Sequence, residues 1–575
     1  MKLSDSYSEL KESLLLLKPY ARRALFFSFF TNLLVLAPTL YMLEVYGRVV
    51  DSRSFMTLAM LTVLVVGMYV LMEVLEWVRG QVMHQASLKF DAASGERVFN
   101  SVFEANLRRV AGGSSQAIND QRTVREFISG PAVLAIMDVP MSLLFILLVF
   151  WVHPVMGYVS LGGALVQVAL AWLTERNTQP PLTKANRSAI EAQNYANGTL
   201  RNAQVIEAMG MLQHIHARWM KKQQEFLFMQ AYASDQAGAN GAASKFVQMT
   251  QSSLLLGVGA WLMIVGEATN FGLIMVASIL GGRILAPISQ VIGLWKQVVN
   301  ARDAYQRLNK LLTAVPARDT GMPLPPPSGM LSVEAVMAGA PGSNVMIIRG
   351  ATFVVPAGEV VAIVGPSASG KSTLARLMMG IWPAASGKVR LDGVDIFPWN
   401  KAELGPHLGY LPQGVELFDG TLAENIARFG DIDMGKVETA ARRVGVHDLI
   451  AALPQGYDTR IGDDGCFLSG GQRQRVGLAR AIYGDPRFVV LDEPNSSLDE
   501  AGEAALVQTL RELKARGTTL IVITHRTSVL AAVDRMLILR DGQVQAYGPR
   551  DEVLAALQRA AQPAVAASAA AGSGS

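Results

Sequence analysis

The sequence predicts two domains of different class: an all-α membrane domain of six transmembrane helices extended beyond the bilayer, then an α/β domain with a phosphate-binding loop. Three observations support this fold class. Hydrophobic residues make up 50% of the 575 residues and charged residues only 17%, whereas a soluble protein carries about 25% charged residues. The long apolar runs are confined to the first half of the chain. In the second half, a glycine-rich loop stands between an apolar strand and a helix.

Six apolar segments are long enough to cross a bilayer, which takes about 20 residues per helix. They lie near 23–46, 55–77, 131–151, 154–174, 249–268 and 271–295. A second span follows the first at once and no A-x-A cleavage site intervenes, so the first is not a cleaved signal sequence. The two long links hold apolar residues at helical spacing, so we expect spans 2 to 5 to continue as helices outside the membrane. A Gly-Gly-Ser-Ser cluster at 112–115 is the predicted break in the first link.

Basic residues give the orientation of these spans. They are concentrated before the first span and in the long links 78–130 and 175–248, whereas the short connections hold only Arg48 and Arg53. Both termini and both long links are therefore expected in the cytoplasm. The net charge of +4 comes without a basic cluster, so we expect no nucleic-acid partner. The single cysteine, Cys466, excludes an intramolecular disulfide.

Two ionisable residues lie inside the predicted spans, Asp138 on the third and Arg283 on the sixth. Counted at about 1.5 Å per residue from opposite membrane faces, they reach a similar depth. A charge at that depth is costly and normally pairs or lines a cavity. Two interpretations stay open: the residues line a translocation path, or they form an Asp–Arg clamp between helices.

The stretch GEVVAIVGPSASGKSTLARLMMG, residues 358–380, reads as a buried strand, a glycine-rich loop and a helix. Its core matches G-x-x-x-x-G-K-S, the Walker A pattern, whose backbone N–H groups and helix N-terminus bind phosphate. Lys371 would reach the β- and γ-phosphates of ATP, and Ser372 would ligate Mg²⁺. The predicted ATP-binding residues of this loop are Gly365, Pro366, Ser367, Ala368, Ser369, Gly370, Lys371, Ser372 and Thr373.

A second apolar strand ends in two carboxylates. Phe488–Leu491 read as a central parallel strand that delivers Asp492 and Glu493 to the nucleotide edge of the sheet. Asp492 is expected to hold Mg²⁺, and Glu493 to act as the base or to orient the attacking water.

The stretch LSGGQRQR, Leu468–Arg475, opens a helix and so offers a second phosphate-binding N-terminus. With it, the chain resembles the ABC transporter ATPases, of which this is the signature motif. The resemblance implies ATP contacts from Ser469, Gly470, Gly471 and Gln472. It also implies a Q-loop glutamine and Mg²⁺ ligand at Gln413, a D-loop aspartate that contacts ATP at Asp499, and an H-loop histidine at His525. Gln413 and His525 would join Glu493 as catalytic residues.

In that family, the signature of one subunit closes over the Walker A nucleotide of another. This chain has one set of motifs, so the resemblance implies a homodimer with two composite sites.

The chain departs from that family where the nucleotide base would bind. Related ATPases stack adenine on an aromatic residue some thirty positions before the Walker A lysine. The corresponding stretch, Val333–Ile348, contains no aromatic residue. We therefore expect weaker discrimination between nucleotide bases.

Six spans followed by an ATPase resemble ABC exporters, and most closely the inner-membrane ATPases of bacterial type I secretion systems that export proteases, lipases or haem-binding proteins. The stretches that carry this resemblance are 391–430, 456–475 and 281–288. It implies ATP-driven export of an unfolded polypeptide with an uncleaved C-terminal signal across the inner membrane, with a periplasmic adaptor and an outer-membrane channel as partners. The motif TRIGDDG at 459–465 resembles the X-loop of the family.

The predicted organisation has five parts. A short cytoplasmic N-terminus at 1–22, in which we expect no room for a peptidase domain, precedes the transmembrane domain at 23–312. A proline-rich linker at 313–329 leads to the ABC nucleotide-binding domain at 330–557, and an Ala/Gly/Ser-rich tail at 558–575 is expected to be disordered. Two alternatives stay open. An exporter of lipids or small amphiphilic drugs would have the same architecture. An ATP-gated channel is disfavoured by the intact catalytic motifs.

Overall fold

The computed structural model describes residues 9–110, 114–266, 271–317, 322–343, 345–462, 468–557 and 559. The chain divides into two compact units: a helical unit of residues 1–106 and 111–317, and an α/β unit of residues 107–110 and 318–575. The predicted X-loop falls partly, and the predicted tail almost wholly, outside the described residues.

The helical unit contains thirteen described α-helices, and a short π-helical turn joins the third to the fourth. Their bounds are α1 Glu9–Leu15, α2 Lys18–Leu34, α3 Ala37–Glu44, α4 Val50–Ser52, α5 Phe55–Leu107, α6 Gln116–Ile128, α7 Pro131–Asp138, α8 Met141–Val152, α9 Pro154–Leu200, α10 Ala203–Ala208, α11 Leu212–Val265, α12 Phe271–Gly293 and α13 Trp295–Ala314.

Six helical segments of the described chain are long and apolar enough to span a membrane, as the sequence predicts. Helices α5, α9 and α11 contain 53, 47 and 54 residues. At about 1.5 Å per residue these helices are about 70–80 Å long, whereas the hydrocarbon core of a bilayer is about 30 Å thick. The predicted continuation of spans 2, 4 and 5 beyond the membrane is therefore confirmed.

The third span, Pro131–Val152, is an exception, because its predicted helical continuation beyond the membrane is wrong. Its helix is interrupted between α6 and α7, where Gly130 has extended backbone angles and Pro131 begins the next helix. A residue before proline is disfavoured in the helical region, and proline has no N–H to donate. A second interruption follows at Val139–Pro140. Helix α5 ends at Leu107 and α6 begins at Gln116. Two residues of the predicted break, Gly112 and Gly113, lie outside the described residues.

Asp138 is paired with Arg79 of α5, so the alternative of an Asp138–Arg283 clamp is wrong. The Arg79 Nη1 atom lies 2.7 Å from Asp138 Oδ1, and Arg79 is only 4% exposed. Arg283 is exposed and has no ion pair in the part of the chain that the structure describes. Arg79 lies on α5 two residues beyond the predicted end of span 2, and its guanidinium contacts the third span at Asp138. Three more polar side chains complete this network: Ser28, Asn32 and Glu76.

Helices α9, α11 and α12 approach one another through glycines. A Cβ atom at Gly259 would lie 2.0 Å from Ile274 Cγ2, and one at Gly281 would lie 2.0 Å from Leu255 Cδ1. Small residues at helix contacts are typical of membrane helices, because they let the backbones pack closely.

The α/β unit contains twelve described strands and eight α-helices. The strands are β1 Leu331–Gly339, β2 Met346–Val355, β3 Val360–Val364, β4 Ser386–Leu391, β5 Val394–Asp395, β6 Leu408–Leu411, β7 Gly420–Thr421, β8 Arg460–Ile461, β9 Phe488–Asp492, β10 Thr519–Ile523, β11 Arg535–Arg540 and β12 Gln543–Pro549. The helices are α14 Lys371–Met378, α15 Lys401–Leu404, α16 Leu422–Ile426, α17 Met434–Arg443, α18 His447–Ala451, α19 Gly470–Ile482, α20 Glu500–Ala515 and α21 Thr527–Leu530.

The central sheet has the order β12-β11-β3-β10-β9-β6, and all neighbours except β12–β11 are parallel. A second, antiparallel sheet has the order β2-β1-β4-β5. In open parallel sheets, ligands bind at the carboxyl ends of the strands. Four neighbouring strands, β3, β10, β9 and β6, therefore bring the segments that follow them to one edge.

The Arg79–Asp138 pair predicts a loss of stability for Asp138→Ala. A hydrogen bond between charged groups contributes about 1.5–3 kcal/mol, and Arg79 would keep its ion pair with Glu76. Thermal unfolding of the full chain in nanodiscs should show a clearly lower midpoint, whereas Arg283→Ala should change the midpoint little. Equal shifts for the two variants would contradict a stabilising role of the pair.

Candidate nucleotide site

The predicted phosphate loop lies between β3 and α14. Gly370, the N-cap of α14, has a φ of 101°, and a Cβ atom there would lie 2.8 Å from Ile348 Cδ1, so only glycine fits. The Lys371 Nζ atom donates to the carbonyls of Gly365 and Pro366 at 2.8 and 2.9 Å. Burial lowers the pKa of Lys371, and the nearby Glu493 and Asp492 carboxylates oppose that shift.

Ala368 occupies the left-handed region, with a φ of 63°. A non-glycine residue in this conformation costs about 1–2 kcal/mol. Ala368 occupies an x position of the pattern G-x-x-x-x-G-K-S, at which any residue is permitted, and the backbone of the loop is strained there. Strain of this kind persists only where the surrounding structure holds the backbone in place.

Asp492 ends β9 and is only 2% exposed. Its Oδ1 atom is buried and has no hydrogen-bond partner among the residues that the structure describes. Burial raises the pKa of Asp492, whereas the hydrogen bond from the Ser372 hydroxyl lowers it. An unpaired carboxylate oxygen beside a hydroxyl is a donor set that suits Mg²⁺, which prefers oxygen ligands.

Glu493 follows directly and has a left-handed backbone with a φ of 53°. Gln413, beyond β6, donates from Nε2 to Glu493 Oε2 at 3.1 Å. His525, beyond β10, has its Nε2 atom 3.9 Å from Glu493 Oε1. The structure thus brings the three predicted catalytic residues together, although they come from three different strands.

The predicted signature forms the start of α19. Ser469 and Gln472 make a capping box, in which Ser469 Oγ accepts from the Gln472 N–H and Gln472 Oε1 accepts from the Ser469 N–H. Gly470 and Gly471 pack against Ser497, so that a Cβ atom at Gly471 would lie 2.6 Å from the Ser497 carbonyl oxygen. Among the described residues, no hydrogen bond joins the signature to the loop 365–373.

Asp499 lies in this second group of residues. Its carboxylate caps α20 by accepting from the Gly502 N–H at 2.9 Å and pairs with Arg475. The hydrogen bond from Gly502 is the largest cause of the lowered pKa of Asp499. The predicted site residues therefore fall into two clusters: the phosphate loop with its carboxylates, and the signature with the turn that holds Asp499.

Gln474 connects these two clusters and was missed by the sequence reasoning. Its Nε2 atom donates to the Glu493 carbonyl oxygen, and its Oε1 atom accepts from the Ser497 N–H, both at 2.9 Å. A second glutamine two residues after Gln472 was the available signal, but sequence spacing does not reveal which of the two is buried.

Comparisons with known proteins identify the family. The ABC transporter family model matches residues 348–496, and the model of the ABC transporter transmembrane region matches residues 23–306. The type I secretion system ATP-binding protein PrsD of Rhizobium meliloti (strain 1021) is 43% identical over 92% of this chain and 91% of its own length. The chain belongs to the ABC transporter family of type I secretion ATP-binding proteins.

Two further similarities agree with this membership. The leukotoxin translocation ATP-binding protein LktB of Mannheimia haemolytica is 26% identical over 92% of this chain and 75% of its own length. A solved structure of a bacterial Atm1-family ABC exporter with ATP bound has a TM-score of 0.80 at 23% identity, and covers 94% of this chain and 97% of that one. At that identity, the structural likeness supports the fold alone.

Several predictions made from the sequence are thereby confirmed. The chain is an ABC exporter with a membrane-embedded helical domain, a nucleotide-binding ATPase domain and ATP hydrolysis coupled to transport in type I secretion. The relatives named for secretion and translocation do not favour the alternative of a lipid or drug exporter.

The hairpin between β1 and β2 predicts weak base selectivity. The described residues of its segment Val333–Ile348 include no aromatic side chain, and the aliphatic Ile347 and Ile348 lie beside Gly370 of the phosphate loop. We expect the purified exporter to hydrolyse ATP and GTP with similar kcat/KM, because the triphosphate provides most of the binding contacts. Substituting Ala340→Tyr should lower the KM for both nucleotides, since stacking on an aromatic ring contributes about 1–3 kcal/mol for any base. Strict ATP selectivity of the wild-type enzyme would contradict this expectation.

Proposed function

We propose that the chain works as a homodimer that hydrolyses ATP at two composite sites to drive export of a polypeptide across the bacterial inner membrane. The observation that carries the proposal is the arrangement around Glu493, where Gln413 donates to its carboxylate and His525 lies 3.9 Å away. The described part of the same chain contains six helical segments that are long and apolar enough to span a membrane. A polypeptide cargo is supported by the relatives named for type I secretion and leukotoxin translocation.

Each residue of the first cluster has a proposed task. The backbone N–H groups of the loop 365–370 and the Lys371 ammonium hold the phosphates. Ser372, Gln413 and Asp492 hold Mg²⁺, which neutralises charge that develops on the phosphates. Glu493 orients the attacking water and accepts its proton. His525, beside Glu493 at the end of β10, contacts the γ-phosphate.

The second cluster is proposed to act on the nucleotide of the other subunit. The first N–H groups of a helix have no partners within it, and the helix dipole favours an anion there. Gly470 and Gly471 would offer such groups to the γ-phosphate, and the side chains of Ser469 and Gln472, whose N–H groups are held in the capping box, would contact it with Asp499 nearby. A role across an interface is supported because, among the described residues, no hydrogen bond joins the signature to the phosphate loop 365–373 of its own chain.

The remaining proposals concern the cellular setting. The basic residues of the long links support a cytoplasmic location for both termini and the ATPase domain. A periplasmic adaptor and an outer-membrane channel are the proposed partners, and an unfolded polypeptide with a C-terminal signal is the proposed cargo. The proposed domain limits are 23–312 and 330–557, with the linker 313–329 between them.

The substitution Glu493→Gln tests this proposal directly. We expect turnover to fall by about 100-fold or more while ATP binding persists, because water activation is lost and the phosphate contacts remain. Cells that carry the adaptor and the channel should then fail to release the polypeptide into the medium. Glu500→Gln, an exposed carboxylate on α20, is the matched control and should leave both measurements unchanged. Normal turnover in the Glu493→Gln variant would refute the assigned role.

A further inference from the structure

The segment that presents Gln413 is held by the last turn of the signature helix α19. We call residues 405–418 the glutamine arm; it contains β6, Gln413 and the segment after it. At the upstream end of the arm, Arg428 donates from Nη1 to the carbonyl oxygens of Gly405 and Leu408, at 3.0 and 2.9 Å. The same guanidinium donates from Nε and Nη2 to the carbonyl oxygens of Arg480 and Ala481 in α19, at 2.9 and 3.0 Å.

The downstream end of the arm is bound to the same turn of α19. Arg480 donates from Nη2 to the Glu416 carbonyl oxygen at 3.0 Å, and its guanidinium lies 5.2 Å from the centroid of the Phe418 ring. The backbone N–H and carbonyl of Phe418 are both bonded to the side chain of Asn425, which is fully buried. The segment after Gln413 is therefore attached to helices, whereas β6 before it is paired with β9 of the sheet.

Two residues beside these contacts have a strained backbone conformation. Arg428 and Phe429 both have left-handed angles, with φ of 60° and 58°. Burial lowers the pKa of Arg428 and of Arg480, and the Arg480 charge further lowers that of Arg428. Gly409 lets β6 touch α19 directly, since a Cβ atom there would lie 2.3 Å from the Ala481 carbonyl oxygen. Two neighbouring half-buried guanidinium groups and two strained residues persist only where the surrounding contacts hold them.

We infer that Arg480 and Arg428 are positioning residues for ATP hydrolysis, which fix the glutamine arm to the signature helix and so set where Gln413 meets Glu493. The inference rests on the proposed roles of Gln413 and Glu493. The helix α19 has 13 residues and starts at the signature, so about 20 Å separate its two ends. A displacement of the signature would then move the other end of α19 and, with it, the glutamine arm that presents Gln413.

The alternative is that both arginines only stabilise the fold. Arg443 provides a matched comparison, because its largely buried guanidinium pairs with Asp485 at 2.5 Å and has no described contact with the glutamine arm. A purely structural role predicts that Arg480→Lys and Arg443→Lys lower the thermal midpoint and leave the turnover of the folded fraction unchanged. A positioning role predicts a fall in kcat for Arg480→Lys alone.

The test is a double-mutant cycle on the full chain in nanodiscs, with phosphate release from Mg²⁺–ATP as the measurement. We expect Arg480→Lys to lower kcat by about tenfold, the effect of losing one charge-assisted hydrogen bond, with the KM for ATP unchanged. Because Arg480 acts through Gln413, the double variant with Gln413→Ala should be no slower than Gln413→Ala alone. Multiplied effects in the double variant would overturn the inference.

The same cycle separates this inference from the proposed function. If Gln413→Ala lowers kcat but Arg480→Lys does not, the positioning role fails and the proposed site stands. If Gln413→Ala has no effect, both fail. Should Arg480→Lys not fold, Arg428→Lys addresses the other end of the arm, with the same expected fall in kcat and the same lack of additivity with Gln413→Ala.

Discussion

The proposed nucleotide site depends on a buried carboxylate oxygen, Asp492 Oδ1, that has no hydrogen-bond partner within the described part of the chain. Leaving such an atom unpaired in a low-dielectric interior is costly. Burial accordingly raises the pKa of Asp492 and lowers that of Lys371, so both groups are disfavoured in their charged forms. Phosphates and a divalent cation would relieve both penalties together. Nucleotide binding would therefore be favoured by the relief of the desolvation penalties that Asp492 and Lys371 carry in the folded chain.

The four neighbouring parallel strands explain how the rest of the site is brought to that oxygen. Strand β9 ends at Asp492, and its neighbours β10 and β6 lead to His525 and Gln413 at the same edge. The signature starts a helix whose Gln474 holds the Glu493 backbone at this edge. One chain therefore contains the cluster around Glu493 that we propose to activate water, and one signature that packs against its own Ser497 turn. This separation is what makes a pair of chains necessary in the proposed mechanism.

Sequence patterns predicted the parts of the structure that depend on local order. The strand–loop–helix around Lys371 and the strand before Asp492 follow from short apolar runs beside motif residues, and span lengths follow from hydropathy. The partner of Asp138 was not predictable in the same way, because counting depth along a helix does not give its rotation about the axis. Gly130–Pro131 separates the third span from α6, although the helical spacing of apolar residues in the first link predicted a continuous helix there. Arg428 and Arg480 stood out in no pattern, since their contacts join segments far apart in sequence.

The central claim is that each nucleotide site is completed by the other copy of the chain. Its most direct test is complementation in mixed dimers, made by co-expressing differently tagged Lys371→Ala and Ser469→Arg chains and purifying on both tags. Each parent homodimer should lack turnover. In the mixed dimer both lesions fall in one site, so the account predicts that the second site is intact and that ATP hydrolysis returns. A mixed dimer as inactive as its parents would contradict the account.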